Sequence, residues 1–112
     1  MKLRQIASHI VIDAHKFTDY ALNPTHPKGH HKARVFASAL GYNLNNYEAL
    51  LSQVELRALD GEFEVQRKDV YGQHGYIDLD IVGVHGQLRV VRTVWLIPSE
   101  SDEARLVTLY VV

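Results

Sequence analysis

The chain has 112 residues, 46% hydrophobic and 22% charged, with a formal net charge of −1 and no cysteine. That length suits one domain, 1–112, with a modest core. The composition argues against disorder, and the missing thiols exclude disulfides, zinc-thiolate centres and cysteine nucleophiles.

The N-terminal segment MKLRQIASHIVIDAHK lacks the apolar run of a signal peptide, and no later stretch is long enough to span a membrane. A soluble cytoplasmic bacterial-type domain without membrane association is the expectation. Along the chain, His9–Asp13 is short, apolar and β-branched and reads as a short strand. Asp13 is placed to cap a helix running to Ala21 or Leu22. Asn23-Pro24 should stop it, because the residue before a proline is pushed out of the α region. Pro24, Pro27 and Gly29 punctuate the loop that follows.

From His30 to Leu40, the residues Ala33, Phe36, Ala37 and Leu40 recur at helical spacing, and Gly41 suits the left-handed position after the last turn. A third helix is expected from Asn45, with Glu48 completing a capping box and Asp60-Gly61 as the stop. Tyr47, Leu50, Leu51, Val54 and Ala58 form its buried stripe. Beyond Gly61 the apolar period falls from about 3.6 to 2. Strands are expected at Glu62–Arg67, Tyr76–Ile81, Gln87–Ile97 and Leu106–Val112, with turns at Tyr71–Gly75 and Gly83–Gly86. The predicted architecture is α+β: three N-terminal helices (about 13–60) packed on one face of a C-terminal four-stranded antiparallel meander (about 62–112). The last strand, LVTLYVV, is apolar and reads as an edge through which a homodimer can form.

Charge is unevenly spread. Between Asp19 and Glu48 there is no acid, while the segment HPKGHHKAR holds His26, Lys28, His30, His31, Lys32 and Arg34. The next stretch, Glu48 to Glu64, carries five acids against Arg57 alone. Either these are two solvated faces, or the surface is polarised with one phosphate-seeking side.

In QLRVVRTVWLI, a turn of two or four residues after the preceding strand puts Arg92 on the same face as Leu79 and Ile81, the apolar one. An arginine there must be paired or line a cleft. A helix carboxylate is one partner for it, and a different turn length would send it to solvent instead. Arg67 interrupts its own apolar face similarly, and Thr93 falls beside Asp78.

Several segments carry a family pattern: KFTDYALNP (Lys16–Pro24), HPKGHHKARVF (His26–Phe36), YGQHGYID (Tyr71–Asp78), VRTVW (Val91–Trp95) and RLVT (Arg105–Thr108). Together they resemble an uncharacterised bacterial domain family found as short proteins and at the C-termini of polymorphic toxins and phage-linked proteins. Ala104 stands where that family often has proline, and His74-Gly75 replaces its commoner pair. The toxin context, with helices before a sheet, is similar to the metal-independent nucleases of the barnase, colicin and RelE type. The resemblance implies a toxin-like domain, possible partners being RNA and a cognate immunity or antitoxin protein, and singles out Lys32, Arg92 and Thr108.

RNA cleavage through the 2′-hydroxyl needs a base, an acid and cations for the developing charge, but no metal or other cofactor. Histidine suits the proton roles and lysine or arginine the phosphate. The expected catalytic set is His31, Lys32, Arg92 and Thr108, with His30 and His74 as further proton carriers. Lys28, His30, Arg34, Arg67, His74 and Thr93 are the expected phosphate or ligand contacts. Two alternatives stand beside it: a metal held by His26, His30 and His31, and a non-catalytic module docking an anionic or protein partner.

Overall fold

The computed structural model describes residues 1–112. Its elements are β1 (His9–Val11), α1 (His30–Leu40), α2 (Tyr47–Arg57), β2 (Glu64–Asp69), β3 (Gly72–Val82), β4 (Leu88–Pro98) and β5 (Glu103–Val111). They build a five-stranded sheet in the order β1-β5-β4-β3-β2. β1 runs parallel to β5, with His9 opposite Glu103 and Val11 opposite Arg105, and the other pairs are antiparallel. The sheet is therefore mixed and five-stranded, not a four-stranded antiparallel meander. No helix is long and apolar enough to cross a membrane.

The expected first helix is present but short, covering residues 15–21. It opens with the Thr18 N–H on the Ala14 carbonyl at 3.1 Å and widens into a π-type turn, Phe17–Ala21, closed by the Leu22 N–H on the Phe17 carbonyl at 2.8 Å. Asp13 caps this segment as expected: its Oδ1 accepts from the His15 N–H at 2.9 Å, and its carbonyl accepts from the Lys16 N–H at 2.9 Å. The wide turn sends Phe17, Ala21 and Leu22 together into the core. α1 ends as its sequence implies, with Gly41 left-handed at φ 77°. α2 begins at Tyr47, and Asn46 uses its side chain on the Asn43 N–H and the Gly41 carbonyl instead of on the helix.

One face of the sheet carries the core. Ile77, Leu79 and Ile81 of β3, Val91, Trp95 and Ile97 of β4, and Leu106 and Leu109 of β5 pack against Phe36 and Leu40 of α1 and Leu50 and Val54 of α2. Burying each such side chain is worth about 1.5–3 kcal/mol, which is why α1 and α2 stay on this face. Thr93 is the one polar residue fully buried here. Its hydroxyl donates to the Ile77 carbonyl at 2.8 Å and accepts the Trp95 indole N–H at 2.7 Å.

The β3–β4 register overturns the face expected for Arg92. Val82 stands opposite Leu88, so the Gly83–Gln87 connection is odd in length, and Arg92 stands opposite Asp78, not among Leu79 and Ile81. β5 carries a bulge at Val107: Trp95 faces Leu106, while Val94 faces Thr108. The bulge keeps Leu106 and Leu109 in the core and turns Thr108 and Tyr110 to the other face. β5 is an inner strand over Glu103–Arg105 alone; from Leu106 onward no strand pairs with its outer side. β1 covers its first residues, and the Lys32 side chain reaches Thr108 from α1. The strand order ends in β1 and β2.

Candidate functional site

The face of the sheet turned away from the core gathers most of the polar residues singled out above. Register places Arg67, His74, Leu96 and Arg105 in one row across the strands, Tyr76, Val94 and Thr108 in the next, and Asp78, Arg92 and Tyr110 in the third. Lys32 joins this face from α1 at the outer side of β5. Its position follows from the start of α1. A Cβ on Gly29 would lie 2.4 Å from the Tyr20 carbonyl oxygen, so only glycine lets the helix begin this close to the π-type turn.

The Lys32 ammonium donates to Thr108 Oγ1 at 3.2 Å. It lies 4.8 Å from the Tyr20 ring centroid and 5.2 Å from that of Tyr110. It makes no ion pair. Aromatic faces and a hydroxyl hold this half-buried cation without neutralising it, which leaves its charge for an incoming anion. Hollows open on both sides of the contact. One, of about 550 Å³, is lined by Asp13, Lys16, Tyr20, His26 and Thr108. The other, of about 250 Å³, is lined by His31, Lys32, Val35, Tyr110 and Val111.

Arg92 grips Asp78 with two bonds, Nε to Oδ1 at 2.8 Å and Nη2 to Oδ2 at 3.0 Å. Its guanidinium carbon lies 4.0 Å from the Tyr76 ring centroid. The Asp78 hydrogen bond, reinforced by its charge and by the Tyr110 oxygen, raises the guanidinium further above its already high pKa, so it stays charged. The pair occupies Nε and Nη2, and the guanidinium keeps donors at Nη1. Tyr110 faces Arg92 across the strands and Lys32 through its ring. The two cations thus border one aromatic-floored patch.

His26 is tied into the start of α1. Its Nδ1 accepts the backbone N–H groups of Lys28 and Gly29 at 3.0 and 2.9 Å. Its ring meets Tyr20 edge-on, with centroids 4.8 Å apart. His30 lies against the His26 carbonyl through Nδ1 at 2.9 Å and stacks on His31 at 3.9 Å. His31 lines the Lys32–Tyr110 hollow, whereas His30 and Arg34 line another, beside Leu22 and Asn43. Lys28 is exposed on the loop before the helix. No group of three or more histidine and acidic side chains converges as metal ligands would, and both His26 and His30 spend Nδ1 on backbone.

His74 bonds to Asp69, Nε2 to Oδ2 at 3.0 Å, and Arg67 flanks the same carboxylate at 3.5 Å. Partial desolvation pushes the Asp69 carboxyl up, but hydrogen bonds from His74 and from the Tyr71 and Gly72 N–H groups outweigh it and leave the pKa below the usual range. Thr93, expected at the ligand, lies in the core with its hydroxyl fully engaged. Lys32, Thr108, Arg92, Arg67 and His74 therefore share one face, while Thr93, His30 and Arg34 do not. Tyr20, Tyr110 and Asp78 belong to the site and were not singled out from sequence. Tyr110 was legible as the residue two beyond Thr108 on one strand.

Comparison with known proteins gives the fold a counterpart. No curated protein matches significantly. Among solved structures, a chain of a contact-dependent growth inhibition toxin–immunity protein complex from Klebsiella pneumoniae 342 superposes with a TM-score of 0.71. Identity is 18%, and the match covers 91% of this chain and 99% of that one. At that identity the likeness establishes a shared fold. A family described as a domain of unknown function, DUF6883, matches residues 2–112, and the chain belongs to it.

Proposed function

We propose that this domain is a toxin-like ribonuclease that works without a metal. In this reading the 2′-oxygen of RNA attacks the adjacent phosphorus, the bond to the 5′-oxygen breaks, and a 2′,3′-cyclic phosphate results. A base accepts the 2′-hydroxyl proton and an acid returns one to the leaving oxygen. Lys32 and the Nη1 donors of Arg92 would take the charge that builds on the phosphoryl oxygens. Thr108 would orient Lys32, and His31, which lines a hollow with Lys32 and Tyr110, would carry the proton. The observation that carries this reading is the half-buried, unpaired Lys32 ammonium held by Thr108 and two tyrosine rings. The shared fold with a chain of a toxin–immunity protein complex supports a toxin-like or immunity-like role, and with it a cognate protein as partner.

A second reading is favoured by the Arg92–Asp78 pair, which already satisfies one edge of the guanidinium. There the same face docks an anionic or protein partner without chemistry. Incubation with total RNA in EDTA separates the two. Cleavage that ends in cyclic phosphate and is lost in Lys32→Ala supports the ribonuclease. Intact RNA, with an anion or protein still held in a Lys32-dependent way, supports the docking module.

A further inference from the structure

His26 has a role that none of the proton-carrier assignments above gives it. Two backbone N–H groups, of Lys28 and Gly29, point into the Nδ1 lone pair at 3.0 and 2.9 Å. A ring nitrogen that accepts two hydrogen bonds carries no proton, so the ring proton resides on Nε2. With Nδ1 turned to the backbone, Nε2 lies on the opposite side of a ring that lines the 550 Å³ cleft with Tyr20 and Thr108. Tyr20 is the shared neighbour of both groups, 4.8 Å from the His26 ring and 4.8 Å from the Lys32 ammonium.

We infer that His26 presents a fixed, neutral Nε2–H donor to a phosphodiester oxygen bound at the Lys32–Thr108 wall, and takes no part as a base. The inference rests on the ribonuclease reading for the identity of its ligand. A neutral imidazole is suited to this task because it polarises an anionic oxygen without carrying a proton away. The cleft also selects where such an anion can sit. Asp13 and Asp19 line it with Tyr20 and His26. The hydrogen bond from the His15 backbone, with smaller help from the His15 side chain and Lys16, holds the Asp13 carboxyl below its usual pKa. Near these carboxylates a phosphate is repelled, and toward the Lys32 ammonium it is attracted.

The test has a readout independent of turnover. Long-range ¹H–¹⁵N NMR of the full chain at neutral pH reports which ring nitrogen of His26 bears the proton. A protonated Nε2 with a bare Nδ1 is expected, and a protonated Nδ1 overturns the proposal. Titration with a 2′-deoxy dinucleotide, which cannot be cleaved, should then shift the Nε2–H and Lys32 Nζ signals together. If Lys32 responds and His26 does not, the donor role fails while the ribonuclease reading stands. If neither responds and RNA stays intact, both fail.

Activity adds a second arm. Asparagine keeps an acceptor for the backbone and an N–H donor for the ligand, so His26→Asn should retain cleavage within about tenfold. His26→Phe removes the donor and should lower it by about a hundredfold. Equal loss in both, with folding intact by NMR, overturns the donor assignment.

Discussion

Lys32 and Thr108 lie 76 positions apart in the chain and meet at 3.2 Å between ammonium and hydroxyl. Thr108 takes one of three N–H bonds and leaves the others for a ligand. Thr108→Val should cut RNA cleavage by about tenfold with little change in Tm, because the tyrosine rings still hold the amine. Lys32→Ala should cut it by at least about a hundredfold, the scale of losing one preorganised charge contact. Initial rates in EDTA, read beside thermal melts, check both; a Thr108→Val rate equal to wild type would show that the contact is structural only.

Arg92 and Asp78 give a prediction of opposite sign. Asp78→Asn keeps the shape of the pair but removes the charge that occupies one guanidinium edge. Affinity for a 2′-deoxy oligonucleotide should rise, and its salt dependence steepen, since one more uncompensated cation faces the phosphates. Arg92→Lys should weaken binding, because lysine lacks the planar fork. Fluorescence anisotropy at several salt concentrations tests both. Unchanged affinity in Asp78→Asn would mean that Arg92 never meets the ligand.

Local pattern carried part of this architecture and missed what depends on loop parity. The stripe Ala33, Phe36, Leu40 and the stop at Gly41 mark α1 as it stands, because burial and left-handed glycine are local demands. The face of Arg92 was misread because it turns on whether the Gly83–Gln87 connection is odd or even, and a one-residue change flips every side chain. Membership of β1 in the sheet was equally hidden: a three-residue strand pairs in parallel with a segment 94 positions away. Of the site, the cation pattern around Lys32 and the Thr108 strand could be read as candidates. Their junction could not, since it depends on the bulge at Val107 and on how closely α1 approaches Tyr20.

Thr93 separates a structural threonine from a functional one. Thr93→Val preserves shape but leaves the Trp95 indole N–H without its acceptor inside the core. An unsatisfied buried donor costs about 1–3 kcal/mol. Chemical denaturation should show that loss, while cleavage per folded molecule stays at the wild-type rate. A specific loss of activity at unchanged stability would return Thr93 to the site.

Stability should fall in acid with a definite sign. Asp13, Asp60, Asp69, Asp102 and Glu103 all titrate below their ordinary values in the folded chain. The folded state therefore binds fewer protons than the unfolded one as pH drops through the carboxylate range, so folding weakens. Above the unfolded values, about pH 4–5, this contribution is complete, and it disappears as pH falls through the lower folded values. Melts between pH 3 and 7 (bounds of about one unit around the carboxylate range) should show a plateau with a decline at the acid end. Asp60→Asn should make the decline shallower, since the Arg4 hydrogen bond is the largest cause of the Asp60 shift.

Gly29 offers the sharpest test of how the site is assembled. Its φ of −89° suits any residue, so conformational freedom is not the reason for glycine there. The reason is the Tyr20 carbonyl oxygen, 2.4 Å from where a Cβ would lie. Gly29→Ala must push the π-type turn away from α1, at about 1–3 kcal/mol for overpacking. Tyr20 then moves relative to both Lys32 and His26, and cleavage should fall further than the loss of folded protein explains. Gly86 is the control, with φ 80° and nothing within 4 Å of an added Cβ. Gly86→Ala carries only the left-handed penalty, about 1–2 kcal/mol, at a turn remote in the chain from Lys32. It should lower Tm by a similar amount and leave cleavage per folded molecule unchanged. Equal activity in the two variants would show that the Tyr20–Gly29 approach does not position the lysine.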